Sequence, residues 1–135
     1  MTHTRYQLYV SLYLLTKNIQ AHVKNHNADT LAKGVILHLI SNKKTSASAI
    51  AKNMSLKLSA MMTRLQGLEK EGLIKRVEGK DHREYICCMT PAGKAFVTAI
   101  KNAIAKRCTQ YKTQISDEEL IITKRVIDAL RKGLI

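Results

Sequence analysis

Apolar positions along the chain recur mostly at helical spacing. Tyr6, Tyr9, Val10, Tyr13 and Leu14 predict a first helix from about Arg5 to about Lys24. The polar segment Asn25 to Asp29 ends it, and Thr30 is placed to cap a second helix carrying Leu31, Val35, Ile36, Leu39 and Ile40. Ser41-Asn42-Lys43-Lys44-Thr45 reads as a loop. Ser46 then offers its hydroxyl to the free amide hydrogens of a short third helix through Asn53. After a turn at Met54 to Leu56, a fourth helix runs to about Glu71 and stops at Gly72, since glycine adopts the left-handed closing conformation without steric cost.

Two short segments follow, Leu73 to Glu78 and Arg83 to Met89, around the turn Gly79-Lys80-Asp81, and they predict an antiparallel hairpin. Thr90 caps a fifth helix with Pro91 at its first position, where the missing amide hydrogen costs nothing. Phe96, Val97, Ile100, Ile104, Cys108 and Tyr111 carry its period. Ser116-Asp117-Glu118-Glu119 is a capping box opening a last helix with Leu120, Val126, Ile127 and Leu130. The expected class is mainly α with one small β-hairpin.

The third and fourth helices make a helix-turn-helix pattern. At about 100° per residue, Leu58, Met61, Leu65 and Leu68 fall on one stripe of the fourth helix and are expected to face the core. Ser59, Ala60, Thr63, Gln66 and Gly67 fall opposite. They are small or hydrogen-bonding and uncharged, as a helix entering a major groove requires; an ordinary solvated face is more often filled with Glu and Lys. Lys57 and Arg64 lie on the flanks, where phosphates would stand.

Charge strengthens that picture. No acidic residue occurs between Asp29 and Glu69, while Lys33, Lys43, Lys44, Lys52, Lys57 and Arg64 do. Over the 135 residues, Lys+Arg number 23 against 10 Asp+Glu, a formal net charge of +13 that gives affinity for polyanions without sequence preference. A hydrophobic content of 45% excludes a wholly disordered basic tail. Aromatic content of 4% argues against single-strand and many RNA binders, which stack bases on aromatic rings. Cys87, Cys88 and Cys108 have no metal-type spacing and suggest no disulfide framework. The apolar run Val10 to Leu15 is too short to span a bilayer and no cleavable leader precedes it, so a cytoplasmic location is expected. Neither a paired-carboxylate site, a phosphate-cradling glycine loop nor a nucleophile elbow is present, so no enzyme and no cofactor are expected.

The run from Thr30 to Val97 resembles the MarR family of winged helix-turn-helix repressors. The matching pieces are Ser46-Ala47-Ser48-Ala49-Ile50-Ala51 and Leu68-Glu69-Lys70-Glu71-Gly72-Leu73-Ile74. With them goes Asp81-His82-Arg83 followed by Cys87-Cys88-Met89-Thr90-Pro91-Ala92-Gly93-Lys94, with Met89 where the family has Leu. The resemblance implies one domain over 1–135, with a winged helix-turn-helix at about 30–90 flanked by dimerisation helices in 1–29 and 91–135. It implies a homodimer on pseudo-palindromic double-stranded DNA, acting as a repressor relieved by a small-molecule effector. The hairpin becomes the wing, where the Arg at the position of Arg83 reaches a minor groove, held by the Asp at the position of Asp81; a guanidinium there meets concentrated negative potential. The DNA-contact candidates are Ser46, Lys57, Ser59, Ala60, Thr63, Arg64, Gln66, Lys80, Asp81, His82 and Arg83. The family often has Arg at the position of Thr63. Arg64 is displaced by one residue, which turns it toward phosphate rather than bases. The wing is about one residue shorter than usual, and the N-terminus is short.

Three groups invite a sensing role. Tyr6, Tyr9 and Tyr13 could line an effector pocket, though packing and dimer contacts are the plainer use of one tyrosine face. Alternation along the second hairpin strand puts Cys88 on the side opposite Cys87, Tyr85 and Met89; the resemblance implies that the Cys87 side is buried, which makes Cys88 the more exposed thiol. His22 and His26 have metal-sharing i, i+4 spacing, with His3 and His38 as distant candidates, but no metal site is assigned. Two other function classes fit a basic winged helix: a protein-interaction module with an acidic partner, and a nonspecific architectural DNA-binding protein. The acid-free helix-turn-helix argues against the first. An even affinity for all sequences would mark the second.

Overall fold

In the computed structural model the described residues are 2–25, 28–40, 43–79, 84–108 and 114–134. Their element order is α1 (Thr2–Asn25), α2 (Ala28–Ile40), β1 (Thr45–Ser46), α3 (Ala47–Asn53), α4 (Leu58–Lys70), β2 (Ile74–Val77), β3 (Ile86–Met89), α5 (Pro91–Cys108) and α6 (Asp117–Leu134). The chain divides into two compact units, Met1–Ile100 and Lys101–Ile135, with the boundary inside α5.

Local chemistry sets most boundaries. Ser46 caps α3 by accepting from the Ala49 amide at 3.2 Å. The exit of α4 is a Schellman closure: Gly72 takes φ 76°, its amide donates to Glu69 O at 3.0 Å, and Leu73 N donates to Leu68 O at 3.0 Å. The exit of α3 has the same bonding with a serine at the strained position. Ser55 sits at φ 53°, with Ser55 N on Lys52 O at 3.2 Å and Leu56 N on Ala51 O at 2.9 Å. The Thr90 hydroxyl accepts from Gly93 N at 3.1 Å and donates to Gly72 O at 2.5 Å, tying the start of α5 to the end of α4. Gly93 is drawn so close to β2 that a Cβ there would lie 2.2 Å from the Leu73 carbonyl oxygen. In the second unit, Ser116 and Glu119 form the reciprocal capping box, with Glu119 N on Ser116 Oγ at 3.2 Å and Ser116 N on Glu119 Oε2 at 2.7 Å.

Three expectations need correction. The second helix starts at Ala28, so Thr30 lies in its first turn and does not cap it; Ala28 and Asp29 tolerate helical backbone, and the helix begins before its apolar period does. The predicted loop before Ser46 ends in a strand, because Thr45 and Ser46 pair antiparallel with Cys87 and Ile86. The sheet therefore has three strands in the order β1-β3-β2, with the returning hairpin strand in the centre. Leu58 is 49% exposed, since the first residue of α4 projects beyond the edge of the core. Tyr111 lies outside the described residues, and α5 ends at Cys108.

The buried cluster runs from Ile36 to Cys87 in sequence and joins Ile36, Leu37 and Ile40 of α2, Ile50 of α3, Met61, Leu65 and Leu68 of α4, and Ile74, Tyr85 and Cys87 of the hairpin. One core thus supports the helix-turn-helix and the hairpin together. Tyr6, Tyr9, Tyr13 and Leu14 of α1 are exposed, as are Leu120, Ile121 and Ile122 of α6.

Candidate nucleic-acid interface

The outer face of α4 is set by the inner one. Met61, Leu65 and Leu68 are sealed in the core, which turns Ser59, Ala60, Thr63, Gln66 and Gly67 to the outside, all exposed. Thr63 donates its hydroxyl hydrogen to Ser59 O at 3.2 Å. With its hydrogen so used, the oxygen keeps its two lone pairs and is an acceptor, suited to the amino groups of adenine or cytosine.

Lys57 occupies the N-cap of α4 and makes no side-chain capping bond, and the first turn holds no acidic residue. A cation at the positive end of a helix is electrostatically unfavourable, and the free amide hydrogens beside it suit an incoming anion. Ser46 uses one lone pair to cap α3 and keeps its hydroxyl hydrogen for an outside acceptor.

Arg64 lies on the flank of α4 that faces α2. With Thr63, Gly67, Glu71, Ala32 and Lys33 it lines a groove of about 220 Å³ between the two helices. Here the sequence reading of charge needs revision. Lys33 is salt-bridged to Glu71 at 2.7 Å, so one of the six cations in the acid-free stretch is compensated by an acid just beyond it.

Lys43 and Lys44, counted in the sequence for charge alone, rim a wider groove of about 710 Å³ with Thr45, Ser46, Ala49, Glu78 and Ile86. They stand beside Ser46 at the entrance to α3. The signal was available: two adjacent lysines directly before a helix-turn-helix. Lys80, Asp81, His82 and Arg83 lie outside the described residues, as do His26 and the side chain of His22. His3 and His38 are exposed.

Toward the loop end of the hairpin, side chains from α4, β2 and the residue before β3 meet. The Tyr85 hydroxyl donates to Glu69 Oε2 at 2.6 Å, and the Arg76 guanidinium lies over the Tyr85 ring at 4.8 Å from its centroid. Burial, reinforced by the Glu69 carboxylate, raises the Tyr85 pKa well above the ordinary tyrosine range. Cys87 is fully buried and donates to Thr45 O at 3.6 Å. Burial pushes its thiol up to about 11, so the thiolate needed for reactivity is scarce. Cys88 points the other way and is half-buried.

No family model matches the chain. It is 30% identical over 87 residues to a Thauera aromatica protein assigned to transcriptional regulation of the hcr operon, a match covering 64% of this chain and 52% of that one. The chain spans about half the length of that curated relative. Among solved structures, a MarR family transcription regulator superposes with TM-score 0.71 at 25% identity, covering 99% of this chain and 94% of the other. A variant of S. aureus MepR bound to an oligodeoxyribonucleotide shares the fold with TM-score 0.56 at 21% identity, over 92% of this chain and 98% of that one.

Proposed function

We propose that the chain, whose fold is that of the MarR family winged helix-turn-helix transcription regulators, is a homodimeric, sequence-specific repressor of that family that a small-molecule effector releases from duplex DNA. The observation that carries the reading is the outer face of α4. It is exposed, uncharged and hydrogen-bonding, and it is flanked by Lys57 and Arg64. Base contacts fall to Ser59, Ala60, Thr63 and Gln66, and phosphate contacts to Ser46, Lys57 and Arg64. From the sequence alone, Arg83 is assigned to the minor groove, with Asp81 orienting it and Lys80 and His82 beside it. The oligonucleotide complex of the MepR variant shows one protein of this fold on DNA and supports DNA as the partner.

Dimerisation is supported by the apolar side chains that α1 and α6 leave exposed, among them Tyr6 at 68% and Ile121 at 69%. In a dimer, two copies of α4 would enter successive major grooves about one helical turn apart and block polymerase access sterically. An effector would act by changing their spacing. No helix among the described residues is long and apolar enough to cross a membrane. As a DNA-binding regulator the protein would act in the cytoplasm, without a catalytic role.

Selection of bound duplexes from a random pool, at near-physiological salt, tests the reading. Recovery of an inverted repeat is the expected result. Salt-sensitive binding without enrichment would point instead to an architectural protein, and no binding at all to a protein-interaction module.

A further inference from the structure

We infer that Glu69, Tyr85 and Arg76 are positioning residues that couple α4 to the hairpin, so that both meet the duplex as one rigid surface. The inference rests on the DNA-binding reading above and adds to it how the two reading elements keep their mutual geometry.

Three features support it. First, the cluster is non-local. Glu69 closes the last turn of α4, Arg76 lies on the outgoing strand β2, and Tyr85 immediately precedes the returning strand β3. The helix that would enter the major groove and both sides of the hairpin each contribute one member. Second, the central member is immobilised. Tyr85 is 5% exposed and packed in the core, while its hydroxyl reaches Glu69 at 2.6 Å. A short hydrogen bond to an ionised acceptor is among the stronger ones, and its direction fixes the helix end against the strand. Third, the Arg76 guanidinium over the ring at 4.8 Å presses on the same tyrosine from the opposite strand. Both strands are therefore held against the end of α4 at the side of the hairpin nearest its loop.

None of the three lies on the outer face of α4, and none is needed as a base or phosphate contact. Their chemistry fits bracing better than recognition. A carboxylate facing DNA would repel phosphate, whereas here its Oε2 is occupied by the tyrosine hydroxyl.

The test uses the full-length chain and the variants Tyr85→Phe, Glu69→Ala and Glu69→Gln. In the DNA-free protein, hydrogen exchange read by mass spectrometry should accelerate about tenfold in β2 and β3 for Tyr85→Phe and Glu69→Ala, the factor a hydrogen bond to a charged acceptor carries at its weaker end. Exchange in α2 and α3 should stay unchanged. Glu69→Gln should restore protection, because the amide oxygen accepts the same hydroxyl. Duplexes enriched by the wild-type chain from a random pool are then competed against random-sequence duplex. Tyr85→Phe should lose about tenfold in selectivity while its affinity for the random duplex holds, and Glu69→Gln should bind like wild type.

Faster exchange throughout the core would make Tyr85 a mere packing residue and overturn the coupling, as would unchanged exchange in the hairpin. Wild-type selectivity in a Tyr85→Phe chain with a loosened hairpin would overturn its role in recognition. Failure of the wild-type chain itself to enrich any duplex would overturn the DNA-binding reading and this role with it.

Discussion

Gly93→Ala should destabilise the protein, although alanine is the better helix former. The added Cβ would meet the Leu73 carbonyl oxygen at 2.2 Å and Met89 Cγ at 2.8 Å. A comfortable carbon–oxygen separation is about 3.3 Å, so the first turn of α5 and the residue leading into β2 would have to part by about 1 Å. Neither is free to move. Leu73 O accepts from Thr90 N at 3.1 Å, and Thr90 is itself bonded to Gly72 and Gly93. Overpacking costs about 1–3 kcal/mol and the strained hydrogen bond about 0.5–1.5 kcal/mol. Helix propensity returns about 1 kcal/mol. The net loss is about 0.5–3.5 kcal/mol, a fall of about 2–14 °C in midpoint for a chain of this size. Gly67→Ala is the control: nothing lies within 4 Å of its Cβ, and it should gain up to about 1 kcal/mol. Thermal unfolding at fixed protein concentration compares the two. A Gly93→Ala chain as stable as wild type, with unchanged circular dichroism, would refute the close approach.

Ser55→Gly should stabilise by about 0.5–1 kcal/mol, since it relieves a serine held at φ 53°; urea unfolding would show it as a higher midpoint. Lys57→Ser should raise stability by about 1 kcal/mol through a new N-cap. The same change should lower duplex affinity and reduce the salt slope by about one, a split that titrations at several salt concentrations would resolve. Cys88 should alkylate well before Cys87 in the native protein, and both together once it is unfolded; peptide mass spectrometry locates the label. The Cys87 thiol is at about 11 when folded against 9.0 as reference, so its contribution to stability is complete below about pH 9 and is lost as pH rises through 11. Tyr85, raised in the same sense, adds to that alkaline loss. Unfolding midpoints flat from pH 8 to about 11 would contradict both shifts.

What could be read from the sequence was chemistry contained within a few residues. Ser46, Gly72, Thr90 with Pro91, and Ser116 with Glu119 mark their helix ends because the groups that cap and the amides they serve are neighbours in the chain. The outer face of α4 was legible for the related reason that one turn of helix fixes which side chains share a side. Pairings across distance were not. Nothing near Thr45 announces a strand whose partner is Cys87, and nothing near Lys33 announces Glu71. Leu58 fits the apolar period of α4 and is still exposed, because a period gives direction and not how far the core extends. The meeting of Glu69, Tyr85 and Arg76 needed the fold itself.

The strand order β1-β3-β2 also dictates an order of events during synthesis. Both helices of the helix-turn-helix are complete once Lys70 has been added, yet Thr45, at the entrance to α3, must wait for Cys87, 42 residues later in the chain. At about 5–20 residues per second, that leaves an interval of seconds on the ribosome. During it the residue that opens α3 has no β partner, and Ala47 N lacks the Tyr85 carbonyl it will later hold at 2.8 Å. A fragment ending at Lys70 would contain every residue of the motif and still be missing the strand that closes it.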